Sequence, residues 1–260
     1  MNPRLFPFFQ YLDYYLRKED RHALQSPFVY KLYQGLKSYY ANNKDKFPHL
    51  EKRRQSLLTD KSKILVEDMG AGSLKFASQE REISAIARYS CSSQKYALLY
   101  QYFCSLTPAN TVVELGTCLG INSCYLAEAT LGQLYTFEGA SGMIDYIKKD
   151  LAKHQKINLV AGDISKTLPT FLRNKKAIDF AFLDANHTYE HTLSYFEQLR
   201  KHVHHESIIV VGDIRWSRGM KRAWEEIIAL EQVRLSLDFY ECGVLIFREG
   251  LAKSHYILHY

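Results

Sequence analysis

A chain of 260 residues with 47% hydrophobic and 24% charged residues has the composition of a globular protein with one large core, or of one domain with an appendage. No apolar run approaches the roughly 18 residues of a membrane span, and residues 1–16, broken by Pro3, Arg4, Pro7 and Asp13, lack the order of a signal peptide. Five cysteines (Cys91, Cys104, Cys118, Cys124, Cys242) without a Cys-x-x-Cys pair read as reduced thiols of a cytoplasmic protein, not as a disulfide frame or zinc site.

The net charge is +6, and it is unevenly placed. Residues 1–63 hold 13 Lys and Arg against 6 Asp and Glu, a surplus of 7, while residues 64–260 hold 21 against 22. Such a basic quarter is a solvated surface, or a site for an anionic substrate or nucleic acid.

In chain order, residues 3–16 carry Phe6, Phe9 and Leu16 among polar residues and predict a helix. Ser26-Pro27 is a helix start, since serine caps and proline suits the first helical position. That helix runs through Phe28, Leu32 and Leu36. Residues 41–63 are polar, with weak periodicity, and predict a loop or lid. Residues 64–73 read as apolar run, acid and Gly-x-Gly, which in isolation suggests a nucleotide loop. Helical spacing follows instead of a second acid-ended strand, so a local turn or a lid near the substrate is expected. Residues 93–106 predict a helix that leads into a strand at 111–116.

From there strands at 111–116, 133–138, 157–161, 178–184 and 207–212 alternate with helical stretches marked by Ile147, Phe196 and Trp224. Near-continuous apolar strands alternating with helices predict an α/β, doubly wound, mostly parallel sheet. Residues 233–240 and 243–248 form an antiparallel terminal hairpin, making seven strands. The run His202, His204, His205 reads as solvated.

In such a sheet, ligands sit beyond the carboxyl ends of the strands. All five of those ends present a carboxylate: Glu114, Glu138, Asp163 after Gly162, Asp184 and Asp213. Glu138 lies 24 residues after Glu114, where an acid accepts both hydroxyls of a ribose. The loop Gly116-Thr117-Cys118-Leu119-Gly120 lacks the Gly-x-Gly-x-x-Gly pyrophosphate fingerprint, so a nucleoside without phosphates fits better than a dinucleotide.

Glu114-Leu115-Gly116-Thr117-x-x-Gly120, the acid at Glu138, the Gly162-Asp163 pair and the terminal hairpin resemble the class I S-adenosylmethionine-dependent methyltransferases over residues 105–250. The stretch Phe182 to Tyr189, followed by Val211-Gly212-Asp213-Ile214, resembles their small-molecule O-methyltransferase-like branch. The whole chain, including His22 to Phe28 and Asp213 to Ser217, is similar to a bacterial methyltransferase group.

The resemblance implies a Rossmann-like domain over 106–260 with S-adenosylmethionine as cofactor, and a helical lid over 1–105 on the substrate side. Glu114, Gly116 and Thr117 would surround the methionine part of the cofactor, with Gly120, Ile121, Asn122 and Ser123 supporting that loop. Glu138 would hold the ribose, with Gly139 and Ala140 beside it; Asp163 and Ile164 after Gly162 would meet the adenine. Asp184 would face the transfer centre, with His187 as base. Asp184 and Asp213 would instead hold a divalent cation that acidifies an acceptor hydroxyl. In the catechol-type enzymes an asparagine ligand follows the second aspartate; here Ile214 does.

The implied partner is a small-molecule acceptor; a homodimer is compatible with the sequence. The alternatives are a nucleic-acid methyltransferase, an NAD-dependent oxidoreductase and a non-catalytic cofactor-binding protein. Asp184-Ala185-Asn186-His187 stands where base-methylating enzymes carry Asn/Asp-Pro-Pro-Tyr/Phe, which disfavours the first. The missing third glycine and the hairpin disfavour the second.

Overall fold

Among the described residues, the N-terminal segment is mainly helical, with a small two-stranded ribbon. The computed structural model describes residues 5–66, 80–175 and 177–260. Helices α1 (Phe6–Arg17), α2 (Pro27–Asn43) and α3 (Pro48–Thr59) precede the antiparallel ribbon of β1 (Lys63–Leu65) and β2 (Glu80–Glu82). Helices α4 (Ile83–Tyr89) and α5 (Gln94–Ser105) complete the segment. Ser26 caps α2 as expected, its hydroxyl accepting from the Val29 N–H. Of the apolar-acid-Gly-x-Gly stretch at 64–73, residues 67–73 lie outside the described residues; Ile64 and Leu65 belong to β1.

The loop expected over 41–63 is corrected. Residues to Asn43 continue α2, and Pro48–Thr59 is a helix. Its buried face is Leu50, Arg54 and Leu57, only one residue wide and with a cation in the middle, so the apolar period is weak. There Arg54 Nε donates to the Glu51 carboxylate and Nη1 to the Ser92 carbonyl.

The remainder alternates: β3 (Thr111–Leu115), α6 (Ile121–Ala129), β4 (Gln133–Glu138), α7 (Ser141–Leu151), β5 (Ile157–Ala161), α8 (Ile164–Leu172), β6 (Phe180–Leu183), α9 (Tyr189–Leu199), β7 (Ile208–Gly212) and α10 (Arg218–Ala229). Then come β8 (Leu235–Asp238), β9 (Cys242–Ile246) and β10 (Ser254–Ile257). The sheet order is β10-β8-β9-β7-β6-β3-β4-β5. Strands β3 to β7 run parallel, and β9 runs antiparallel to both β7 and β8. The doubly wound sheet thus carries one strand more than the seven expected. The addition, β10, pairs parallel with β8 through a run too short and too polar to stand out.

Successive residues of each strand face opposite layers. Val112, Phe180, Phe182 and Val210 pack with Leu98, Leu99, Tyr125 and Ile147 of α5, α6 and α7. Val113, Ala181, Ile209 and Val211 pack with Leu168, Phe196 and Trp224 of α8, α9 and α10. The N-terminal helices share the first of these cores through Val29, Leu36, Leu57 and Ile83. Helix α8 fills the helical position expected between β5 and β6; it buries Ile164, Leu168 and Leu172 and carries Pro169 within it.

At the amino ends of the strands, Asp179 accepts from the Asn110 and Thr111 N–H groups and pairs with His204 Nε2 at 2.9 Å. His202 Nδ1 lies 2.9 Å from the Lys175 carbonyl. The solvated reading of this histidine run is therefore corrected for these two: each ring has a fixed partner.

Candidate functional site

The chain runs from β3 outward through β4 to β5, then returns to β6 on the other side of β3 and continues to β7. The order reverses between β3 and β6, so a crevice opens beyond their carboxyl ends. All five acids expected there lie on that rim, but they divide into two kinds.

Glu114 is fully buried. Its Oε2 accepts from Ser123 Oγ at 2.5 Å and Thr136 Oγ1 at 2.6 Å, and its Oε1 from Asn122 Nδ2 at 2.8 Å. Burial pushes its carboxyl up to about 7, against these hydrogen bonds. The carboxylate clamps the start of α6 to β3 and β4. Thr117, also buried, joins the network through Thr136 at 2.7 Å. The side chains of Glu114, Thr117 and Ser123 thus point into this network and shape the loop from beneath. Ile121 is buried in the core.

Gly116 has φ +99°, and a Cβ there would collide with the carbonyl oxygen of Asp184. Gly120 is left-handed at φ +73° and starts α6. Between them Cys118, also left-handed at φ +51°, donates its N–H to Glu138 Oε2 at 2.9 Å. Ala140 donates to Oε1 of the same carboxylate at 3.0 Å. Glu138 is therefore held at both oxygens by backbone, and each retains a lone pair. Burial raises its carboxyl, opposed by the N–H groups of Ala140, Cys118 and Gly139. Gly162 turns at φ +118° and places its N–H on the Glu138 carbonyl. Asp163 caps α8 by accepting from Ser165 N and Oγ, and the serine hydroxyl holds its carboxyl below the usual range. Ile164 follows as the first residue of α8, buried against the second core.

The other half of the rim differs. Asp184, His187 and Asp213, all half-buried, bring one ligating atom each within 4.8 Å of one another. His187 Nδ1 lies 3.5 Å from Asp213 Oδ2. Burial pushes the Asp184 carboxyl up to about 7, with His187 opposing and Asp213 adding to the shift. A Cβ on Gly212 would strike Asp184 Oδ1, so that glycine makes room for the carboxylate. Asn186, His187 and Asp213 all have positive φ (63°, 43° and 53°). Non-glycine residues held there store strain, which clusters at functional sites.

Sequence reasoning did not find two supporting groups. Arg53 of α3 reaches the Leu119 carbonyl at 3.2 Å, so the N-terminal segment supports the glycine loop. Buried Arg215 joins Asp238 at 2.7 Å and Asp13 of α1 at 2.9 Å. Only spatial proximity links these pairs.

The residues fit a nucleoside cofactor with a cationic amino-acid tail. Glu138 offers two anchored acceptors for vicinal hydroxyls. Asn122 Oδ1 is a buried acceptor with no hydrogen-bond partner among the described residues, at the loop where an ammonium would sit. Asp184, His187 and Asp213 form the donor set that could hold a divalent cation. Ile214, in the place of the asparagine ligand, is buried in the core and contributes no donor.

A family profile described as "Methyltransferase domain" matches residues 113–214, from β3 to just past β7. No curated protein matches the chain. Among solved structures, the O-methyltransferase TomG from Streptomyces achromogenes, in complex with SAM, is 19% identical over 61% of this chain and 82% of its own, with a TM-score of 0.52. An O-methyltransferase from Bacillus cereus in complex with SAH is 17% identical over 61% and 83%, with a TM-score of 0.52. CalS11, a TDP-rhamnose 3'-O-methyltransferase, is 19% identical over 79% and 95%, with a TM-score of 0.51. At these identities the likeness is one of fold. The strand order and the matched stretch agree with that fold: residues 113–214 are similar to a methyltransferase domain, set in the sheet that these solved structures share.

Proposed function

We propose that this enzyme methylates an oxygen of a small molecule, using residues 106–260 to bind the cofactor and residues 1–105 as the acceptor-side lid. The cluster of Asp184, His187 and Asp213 beside the anchored Glu138 carries this reading. S-adenosylmethionine, when bound, supplies an activated methyl group. The chain's residues supply position and proton handling. Glu138 accepts the two ribose hydroxyls. Asn122 Oδ1 accepts from the cofactor's ammonium. Asp163 and the backbone at Ile164 face the adenine edge. Alignment of an acceptor oxygen by such a rim contributes ~7–11 kcal/mol in favourable cases.

His187 takes the proton of the acceptor hydroxyl. Its Nδ1 faces Asp213, which orients the ring and leaves Nε2 toward the acceptor. Asp184 keeps a partly protonated carboxyl beside the transfer centre. A divalent cation, if used, would be held by these same three side chains and would acidify that hydroxyl. Two structural neighbours support transfer to oxygen: TomG and the Bacillus cereus protein are O-methyltransferases.

Calorimetric titration with S-adenosylhomocysteine and with NAD tests the cofactor. Binding of NAD alone would overturn the assignment. A screen of hydroxylated metabolites for methyl gain by mass, with and without EDTA, tests acceptor and cation. Methyl gain on nitrogen, or on nucleic acid only, would replace the oxygen reading.

A further inference from the structure

Two cysteines face each other across the seam between the N-terminal segment and the cofactor loop. Cys91 lies in the short connection between α4 and α5, and Cys118 lies between the two glycines of the loop. Their Sγ atoms are 3.8 Å apart, and both side chains are half-buried, within reach of a small oxidant. Both backbones are held. The carbonyl of Ser92, next to Cys91, accepts from Arg54 Nη1 at 2.5 Å. The Cys118 N–H is on Glu138 Oε2.

We propose that Cys91 and Cys118 form a reversible disulfide when the protein meets a peroxide, and that this bond loosens the cofactor cradle. The second half rests on the cofactor reading above. A disulfide requires an S–S distance of about 2.05 Å, so the sulfurs must approach by less than their present gap. The rest of Cys118 cannot follow freely, because its left-handed backbone fixes one oxygen of Glu138. Drawing the loop toward Cys91 therefore strains the hydrogen bond that aims the ribose acceptor.

The chemistry has a direction. The hydrogen bond from Cys118 holds the Cys91 thiol below the usual range, with Arg54 assisting, while Cys118 itself is raised. Cys91 is the attacking thiolate. Its sulfur bonds to one peroxide oxygen, the O–O bond breaks, and hydroxide leaves as water after taking a proton. The Cys118 thiol then loses its proton and attacks the Cys91 sulfenic sulfur. The S–S bond forms, the S–O bond breaks and a second water leaves. Two thiols and one peroxide give one disulfide and two waters, and a dithiol reductant reverses the change.

The test uses the full chain with hydrogen peroxide, thiol titration and unreduced peptide mass mapping. The titre should fall from the five cysteines of the sequence to three, and a peptide joining residues 91 and 118 should appear and vanish with dithiothreitol. Oxidation should weaken S-adenosylhomocysteine binding by about 10-fold, and Cys91→Ser should keep its affinity under peroxide. A Cys91 that goes to sulfinic acid while Cys118 stays free would overturn the cross-link. Equal loss of affinity in Cys91→Ser would overturn the switch. If the reduced protein binds no S-adenosylhomocysteine, the cofactor reading and the switch fall together, while the thiol titre still decides the cross-link.

Discussion

The two halves of the rim use the same residue type in opposite ways. On the β3–β5 side, Glu114, Glu138 and Asp163 each accept at least two hydrogen bonds from the protein, and their backbones turn mainly through glycines. On the β6–β7 side, no hydrogen bond among the described residues ends on the carboxylate of Asp184 or Asp213; the two acids lie near each other, with the His187 ring 3.5 Å from Asp213 Oδ2. Strain there falls on Asn186, His187 and Asp213. On the first side the protein itself fixes every carboxylate in place, and Asn122 Oδ1 remains as an acceptor without a partner among the described residues. The second leaves charge and strain unspent, as suits groups whose partners change during a reaction.

Four measurements would break or sharpen that contrast. The largest effect is expected from Asp184→Asn, which should lower kcat by ~10³-fold while leaving S-adenosylhomocysteine affinity nearly unchanged. Equal loss of affinity would erase the division between the halves. Next is pH. The Glu114 carboxyl is raised from 4.5 to about 7, so its contribution to stability is fully present below 4.5 and is lost as pH rises through about 7. Urea unfolding of the wild type should lose on the order of 3 kcal/mol across that window relative to Glu114→Gln. Parallel pH curves for the two proteins would remove Glu114 from the account. Third, Glu138→Ala should weaken S-adenosylhomocysteine binding ~10²-fold in calorimetry, because two charged hydrogen bonds to hydroxyls are lost, and should lower thermal stability as well, because the Cys118 and Ala140 N–H groups lose their acceptor. The smallest effect is expected from Gly116→Ala, about 2 kcal/mol in unfolding, as a Cβ at φ +99° meets the Asp184 carbonyl. A neutral result would mean that the loop and β6 can part without cost.

The positions of the rim acids were legible because a strand end is a local feature: an apolar run, an acid and a turn. Their roles were not. Glu114 stands in the motif place of a cofactor contact, yet its oxygens are taken by Asn122, Ser123 and Thr136. Two of those donors sit on α6 and one on β4, and no spacing rule joins them to a single acceptor. Helix α3 was missed for a related reason. Arg54 occupies a core position only because the carbonyl of Ser92, 38 residues on, meets its guanidinium. Strand β10 was missed because backbone pairing, not side-chain pattern, defines it. The terminal hairpin was legible because both of its runs are strongly β-forming.

The contacts that residues 257–260 make with earlier helices bear on the order in which the protein folds. Tyr14 Oη donates to the Leu258 carbonyl at 2.8 Å, the Glu19 N–H to that of Ile257 at 2.6 Å, and Tyr260 Oη to that of Lys95 at 2.7 Å. Helix α1 also leans on Arg215, through Asp13. Contacts of such sequence separation form late, since the intervening loop must close first. Tyr14 and Leu258 are 244 residues apart, so helix α1 docks only after the segment between them has folded. Phe8 at 62% and Leu16 at 74% exposure stay uncovered even after docking.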